Sequence, residues 1–418
     1  MNFNSVKEKF FFYNFPVFLF CLLPFFLITG PFLSDLSVSS ISLLFLTYCF
    51  KKKNFSYFKN KYFYFFLIFW IYLVLNSLIN NFNLDSIKIA FFYFRYGVFV
   101  IAIATLLEVD NKFIRYFFYC IFLCFVILTI DGYYQYFIGE NILGWKNSGR
   151  VTSFFGEEKI LGSYLARLWP IFFGLSLLFL NKKKKIFFLF ILIFILTEAL
   201  IFLSGDRTAF FYINLSAIFV ILFSHKLLKL RLITLTLSLL LLVIISFINP
   251  TAKERVFDQT LEQMNLVNKD TKNIYIFSKQ HTHHYMSAYK MFLDNKVIGV
   301  GVKNFRNFCS NEKYEISNLS CSTHPHNTYI QILTETGIIG FLFCIFVLFY
   351  FCKYIINHAF LKFKSKHYFT DFEICLLSGM IIYIWPFAPT GNIFNNWLNI
   401  IMIINLPFLI WSRKLVRK

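Results

Sequence analysis

The sequence predicts an all-α protein, a polytopic membrane helix bundle of about 12 transmembrane helices with one large external loop. Three observations predict it. Apolar residues make up 58% of the 418 residues, include 61 phenylalanines and give a mean hydropathy of +0.63, more apolar surface than a soluble domain can bury. They occur in runs close to the roughly 20 residues that a helix needs to cross a bilayer. The formal charge of +20 sits in short clusters between those runs, as expected of loops on the cytoplasmic side. That placement argues against nucleic acid as a partner and for membrane lipids as the surroundings.

In chain order, the spans expected are 10–29, 34–50, 62–80, 87–107, 113–131, 163–180, 186–203, 208–224, 232–248, 337–357, 372–389 and 398–412. The first follows Lys7 and Lys9 but has no small-residue cleavage pattern, so it reads as a retained helix. Basic residues set the orientation. With both termini inside, the cytoplasm receives Lys7/Lys9, Lys51–Lys53 with Lys59/Lys61, Lys112/Arg115, Lys182–Lys185, Lys226/Lys229/Arg231, Lys353/Lys362/Lys364/Lys366 and Arg413/Lys414/Arg417/Lys418. The short external loops and their edges keep only Lys88, Lys146, Arg150, Lys159 and Arg207. The expectation is N-in and C-in. It divides the chain into a bundle over 1–248 with a polar external loop at 132–162, a large external loop over 249–336, and three final spans within 337–418. Within the large loop, 284–293 reads as a short amphipathic helix ended by Asp294-Asn295, followed by a turn at Gly299-Val-Gly301.

The residues suited to chemistry lie where that loop enters span ten. Thr328 with Gln331 three residues on fits a capping box, so a helix starts there and continues through Gly337. His326 then stands at a helix N-terminus, whose dipole disfavours imidazolium and favours a nearby anion. The same position suits a base and an anionic head group; the simpler alternative is that His324-Pro-His326-Asn327 only turns and caps the helix. Arg207, Arg95, Arg167 and Glu198 share the outer depth of the bundle, where a charge costs on the order of 3 kcal/mol and needs a partner or a wet cavity. Arg167 and Glu198 form the obvious candidate ion pair. Of nine cysteines, seven lie in apolar runs, and Cys309 and Cys321 in the external loop are expected to form a disulfide. The histidines at 281, 283, 284, 324 and 326 lack a recognised metal-binding spacing, so no metal and no cofactor are expected. The adjacent Glu157-Glu158 does not suit a glycosidase, and no P-loop, dinucleotide fingerprint or GxSxG is present.

His326-Asn327, nine residues, then Gly337-Ile-Ile-Gly340 resembles the signature of the O-antigen ligase and polymerase family, the Wzy/WaaL-type membrane glycosyltransferases. Ser204-Gly-Asp-Arg207 looks like the family's Ser-x-Ser-Arg-x-Ala element, with Asp206 where the family has serine. Arg150 before Val-Thr-Ser-Phe-Phe-Gly156 resembles its Arg-x-x-Gly-x-Phe segment, with Ser153 in place of the glycine. Many members also carry an arginine on the external-loop helix; here His284, Lys290 and Arg306 are the candidates for that second phosphate-binding role.

The resemblance implies a GT-C-like bundle in the bacterial inner membrane with its active site facing the periplasm. It implies an undecaprenyl-diphosphate-linked glycan as donor and lipid A-core as acceptor, or another lipid-linked glycan if the enzyme is a polymerase. By that resemblance His326, supported by His324, is the catalytic base. Arg207, Arg95, Arg150 and Arg167 bind the diphosphate, and Asn327, Gly337 and Gly340 complete the motif. A lipid-glycan flippase fits less well, because the inner halves of the spans are almost purely apolar.

Overall fold

The computed structural model describes residues 1, 3–80, 83–180, 184–225, 228–248, 253–264, 266 and 277–416. Among the described residues it is helical with no strand, apart from one isolated bridge between Glu140 and Lys146. The helices are α1 (Val6–Ile28), α2 (Pro31–Lys51), α3 (Lys61–Ile79), α4 (Leu84–Phe92), α5 (Phe94–Val109), α6 (Phe113–Ile138) and α7 (Leu161–Leu180). They continue with α8 (Lys184–Leu203), α9 (Arg207–Phe223), α10 (Leu228–Ile248), α11 (Lys279–Asp294), α12 (Thr328–Phe363), α13 (Asp371–Ile384), α14 (Asn396–Ile403) and α15 (Asn405–Val416). Each expected apolar run overlaps a helix or a broken pair, but the run expected over 372–389 is helical only as far as Ile384, where α13 ends. Among the described residues, 9 spans are long and apolar enough to cross a membrane, with α4–α5 and α14–α15 each counting as one; Leu189–Leu203 and Arg207–Phe223 are shorter, and α13 has 14 residues. The result is a polytopic membrane helix bundle. Of the basic clusters, Lys182, Lys183, Lys226, Arg417 and Lys418 lie outside the described residues, as do 249–252, 265 and 267–276 of the long loop.

Local chemistry explains the boundaries. Side chains of Asn60, Asn83, Asp206, Ser278, Asn327, Thr370 and Asn395 cap helix N-termini, each accepting from a backbone N–H of the first turn. Gly139, with φ +94, closes α6 in the left-handed conformation, so the polar loop begins there rather than at 132. α7 is the hub: it packs on α13, α9, α8 and α6 and is largely buried, whereas α3, α10 and α12 are mostly exposed on the bundle's outside. A bilayer supplies the apolar environment those outer faces need.

Two expectations about buried charge are corrected. Glu198 pairs with Arg231 at 2.5 Å, not with Arg167, and also accepts from Ser238. Arg231, assigned above to a cytoplasmic loop, is fully buried in α10 with its guanidinium 4.4 Å from the Trp169 ring centre. The hydrogen-bonding partners on α10, Thr234 and Ser238, sit three and seven positions beyond Arg231 and share its helix face.

α12 does not run uninterrupted through Gly337. That residue has φ +64 and ψ −167, a conformation open only to glycine, and the helix breaks there. Residues 296–301 dock across the break. Val300 and Gly301 N–H donate to Thr334 and Glu335 carbonyls (2.9 Å each), and Ile338 N–H donates to the Lys296 carbonyl (2.9 Å). Tyr72 and Asn76 of α3 donate to the Thr336 and Ile298 carbonyls. The polar backbone exposed by the break is thereby satisfied. The approach is closer than a side chain permits: a Cβ at Gly337 would lie 2.3 Å from the Val297 carbonyl oxygen. At Gly299 it would lie 2.5 Å from the Thr334 carbonyl oxygen. Gly337→Ala is therefore expected to cost about 1–3 kcal/mol in backbone strain alone, with the overlap added. A melting temperature of the purified variant equal to wild type would contradict this packing.

Candidate active site

The motif before α12 is clamped to the segment linking α13 and α14. Thr390 N–H donates to the His326 carbonyl (2.8 Å), and His324 Nε2 donates to the Thr390 carbonyl (3.1 Å). Asn327 Nδ2 donates to the Pro386 carbonyl (2.8 Å) while its Oδ1 accepts from Tyr329 and Ile330 N–H (3.0 and 3.1 Å). Asn327 is thus the N-cap, and the expected Thr328–Gln331 capping box does not form. Gln331 points elsewhere, donating from Nε2 to Glu335 (3.0 Å) and Asn392 (2.9 Å). His326 itself has φ +58, a left-handed conformation that costs an L-residue roughly 1–2 kcal/mol. The flanking hydrogen bonds to Thr390, Asn327 and Pro386 hold it there.

Four imidazoles converge. α11 begins at Lys279, five residues before the expected start, and so carries His281 as well as His284 on its first turns. The His326 ring centre lies 4.0 Å from that of His324, 5.3 Å from His284 and 5.4 Å from His281. Ser322 Oγ is 2.9 Å from His326 Nε2, and Ser278 Oγ is 2.9 Å from His281 Nδ1. Thr323 Oγ1 lies 2.9 Å from His324 Nδ1. Burial, then the neighbouring His281 and His284, pushes His326 down to about 4. Burial and His326 push His324 to about 3, and burial, His284 and Arg207 push His281 to about 4. Burial lowers His284 too. These imidazoles are neutral at pH 7 and able to take a proton.

The sign of the linkage is definite. Each group has a folded value below its ordinary 6.5, so the unfolded chain binds more protons on acidification. The stability they confer is present above about 6.5 and is lost as pH falls toward about 4. A pH series of melting temperatures in detergent should fall over that window, and His326→Gln with His281→Gln should flatten it.

An arginine group lies within electrostatic reach of this cluster: the Arg207 charge is felt at His281. It is built around the turn Ser204-Gly205-Asp206. Arg150 Nε donates to the Ser204 carbonyl (2.9 Å), and Arg255 Nε donates to the Gly205 carbonyl (3.1 Å). Arg207 donates to Thr260 Oγ1 (3.1 Å) and Gln263 Oε1 (3.0 Å). Gly205 has φ +61, and a Cβ there would lie 2.7 Å from Arg255 Cδ. Burial lowers the Arg150 guanidinium, with Asp206 opposing and Arg255 and Arg207 reinforcing. Three guanidinium groups with one nearby carboxylate make a site for a multiply charged anion. Ser153, standing where the similar segment has glycine, has φ +49; its N–H donates to Gln135 (2.8 Å) and its hydroxyl to Asp131 (2.5 Å). That fixes the loop carrying Arg150.

Arg255 was not singled out by sequence reasoning, although it is the one arginine between Arg231 and Arg306. Two other expected arginines make none of these contacts. Arg95 is ion-paired with Asp35 at 2.5 Å and donates to the Phe92 carbonyl (2.8 Å). Arg167 lies two turns into α7 between the rings of Tyr212 and Tyr383, 4.8 Å from each centre. Arg306 and Lys290 brace the external loop, donating to the Thr323 (3.0 Å) and Glu315 (3.4 Å) carbonyls. Cys309 and Cys321 are joined in a disulfide, Cα atoms 4.9 Å apart, just ahead of His324. Gly340 leaves room for Thr336 and for Tyr72 of α3: a Cβ there would lie 2.0 Å from Thr336 Oγ1 and 3.2 Å from the Tyr72 ring. Among the described residues no three His, Cys, Asp or Glu side chains are arranged to hold a metal ion.

No curated protein matches the chain. Residues 188–345, which hold the Ser204–Arg207 turn, α11 and the histidine motif, match the family described as O-Antigen ligase, and that match supports assigning the chain to the O-antigen ligase/polymerase family.

Proposed function

We propose that the chain transfers a glycan from undecaprenyl diphosphate to lipid A-core at the periplasmic face of the bacterial inner membrane. Membership of the family supports a membrane glycosyltransferase-type role in O-antigen assembly. The observation that carries the finer reading is the adjacency of a neutral histidine cluster to an arginine group. His326 takes the proton of the acceptor hydroxyl as its oxygen bonds to the anomeric carbon. The bond from that carbon to the diphosphate oxygen breaks, and the electron pair leaves with the lipid diphosphate. Arg207, Arg150 and Arg255 stabilise the charge that develops there, a role that needs no metal ion or cofactor. Arg95 is left to its ion pair with Asp35, and His324 positions His326 through Thr390.

Twelve spans with both termini inside go with this reading. A reporter inserted after residue 312 should read periplasmic and one after residue 364 cytoplasmic; the reverse places the site on the wrong side. Lipopolysaccharide banding of a deletion strain tests the activity. Loss of all O-antigen from the core supports ligation, whereas core carrying a single repeat indicates a polymerase joining lipid-linked repeats. An unchanged pattern would overturn both.

A further inference from the structure

We infer that Arg167 marks a pocket for a carboxylate, so that the glycan bound beside His326 carries an acidic sugar. The glycan part rests on the transferase reading above; binding of the acid does not. Arg167 is 4% exposed, and no carboxylate lies within ion-pair distance of it among the described residues. Its Nε donates to Ser163 Oγ (3.0 Å), and Tyr212 and Tyr383 cover its two faces. Two ring contacts offset only part of the cost of burying an unpaired cation, so the site is completed by an anion. Asp206, the carboxylate whose charge reaches it, is occupied in capping α9 through Ala209 N–H.

A cavity supplies the room. It measures about 40 Å³ and is lined by Arg167, Tyr383, Thr328, Thr390, Asn392 and Asn399, among others. That is a few times what one buried water needs, enough for a carboxylate and too little for a diphosphate. Beside it lies an unsatisfied donor: the lining residue Asn392 is 6% exposed, and its Nδ2 is buried without a hydrogen-bond partner. The Asn392 Oδ1 is occupied by Gln331 Nε2 (2.9 Å) and Phe394 N–H (2.8 Å), which fixes Nδ2 as the group left free. A guanidinium lining the cavity, with an unpaired amide donor beside it, selects an oxyanion over a neutral hydroxyl. The rim residue Thr390 is the one whose N–H and carbonyl hold His326 and His324. A uronic acid with its carboxylate in the cavity therefore keeps its ring hydroxyls near His326.

The test uses purified full-length protein, with thermal unfolding followed by tryptophan fluorescence during titration with sodium D-glucuronate. Glucose and sodium chloride at matched concentration are the controls. Glucuronate is expected to raise the melting temperature saturably, and glucose and chloride are not. Asn392→Asp keeps both bonds to Oδ1, replaces the free donor with a carboxylate and gives Arg167 an internal counter-ion. It should melt at or above wild type and respond to glucuronate about tenfold more weakly or not at all. Arg167→Met should lose the response as well; if it does not fold, Asn392→Asp decides alone. Absence of a response in wild type, an equal response to chloride, or a wild-type response in Asn392→Asp overturns the pocket. None of these readouts involves glycan transfer, so they stand whether or not the transferase reading does.

Discussion

Replacing His326 with alanine is expected to lower glycan transfer by about 10²–10⁴-fold, the range general-base catalysis supplies, while the protein still inserts in the membrane. His326 caps no helix with its side chain; Asn327 does that, and the His326 carbonyl, not its ring, meets Thr390 N–H. The ring can therefore be removed with little harm to the fold. The pH dependence is equally specific. With His326 held at about 4 by burial and by His281 and His284, the base form predominates at all pH values above that. Transfer should stay level as pH falls from neutral to about 5, whereas a base at the ordinary histidine value would already be mostly lost. A profile that declines through 6.5 would show that burial does not control this histidine.

The second large effect concerns the arginine group. Arg255→Ala should reduce transfer by about 10²–10³-fold, as expected for loss of a donor aimed at developing charge. Arg207→Ala should be at least as severe, because Arg207 also donates to Thr260 and Gln263 and so anchors the segment carrying Arg255. Arg255→Lys should recover only part of the rate: it keeps the charge but loses the forked geometry that holds the Gly205 carbonyl and a phosphate oxygen together. Measured transfer by Arg255→Ala equal to wild type would remove this residue from the site.

Much of this architecture was legible in the sequence. Apolar run length located the membrane helices, and the His326–Gly340 spacing marked the segment entering α12. What was not legible depends on tertiary contact. The Gly337 break requires the Gly299 turn, some 40 residues earlier, to satisfy its backbone, and nothing local signals that docking. Asn327 rather than Thr328 caps α12 because Pro386, on a distant segment, holds its amide. Glu198 meets Arg231 rather than Arg167 because the Arg167 guanidinium turns instead to Tyr212 of α9 and Tyr383 of α13. Arg255 was hidden in a polar stretch with no hydrophobic period, and it acquires meaning only when the stretch folds back onto Ser204–Arg207. Gly205 stands at the variable position of the Ser-x-Ser-Arg element, and the Arg255 side chain lying against it gave no local signal.

The most direct measurement of the central claim is transfer by the purified, full-length protein supplied with undecaprenyl-diphosphate-linked glycan and lipid A-core. The account predicts glycan-bearing lipid A-core and a matching release of undecaprenyl diphosphate by wild type, and neither by His326→Ala. Transfer of equal yield by His326→Ala, or no transfer by wild type to lipid A-core, would contradict it.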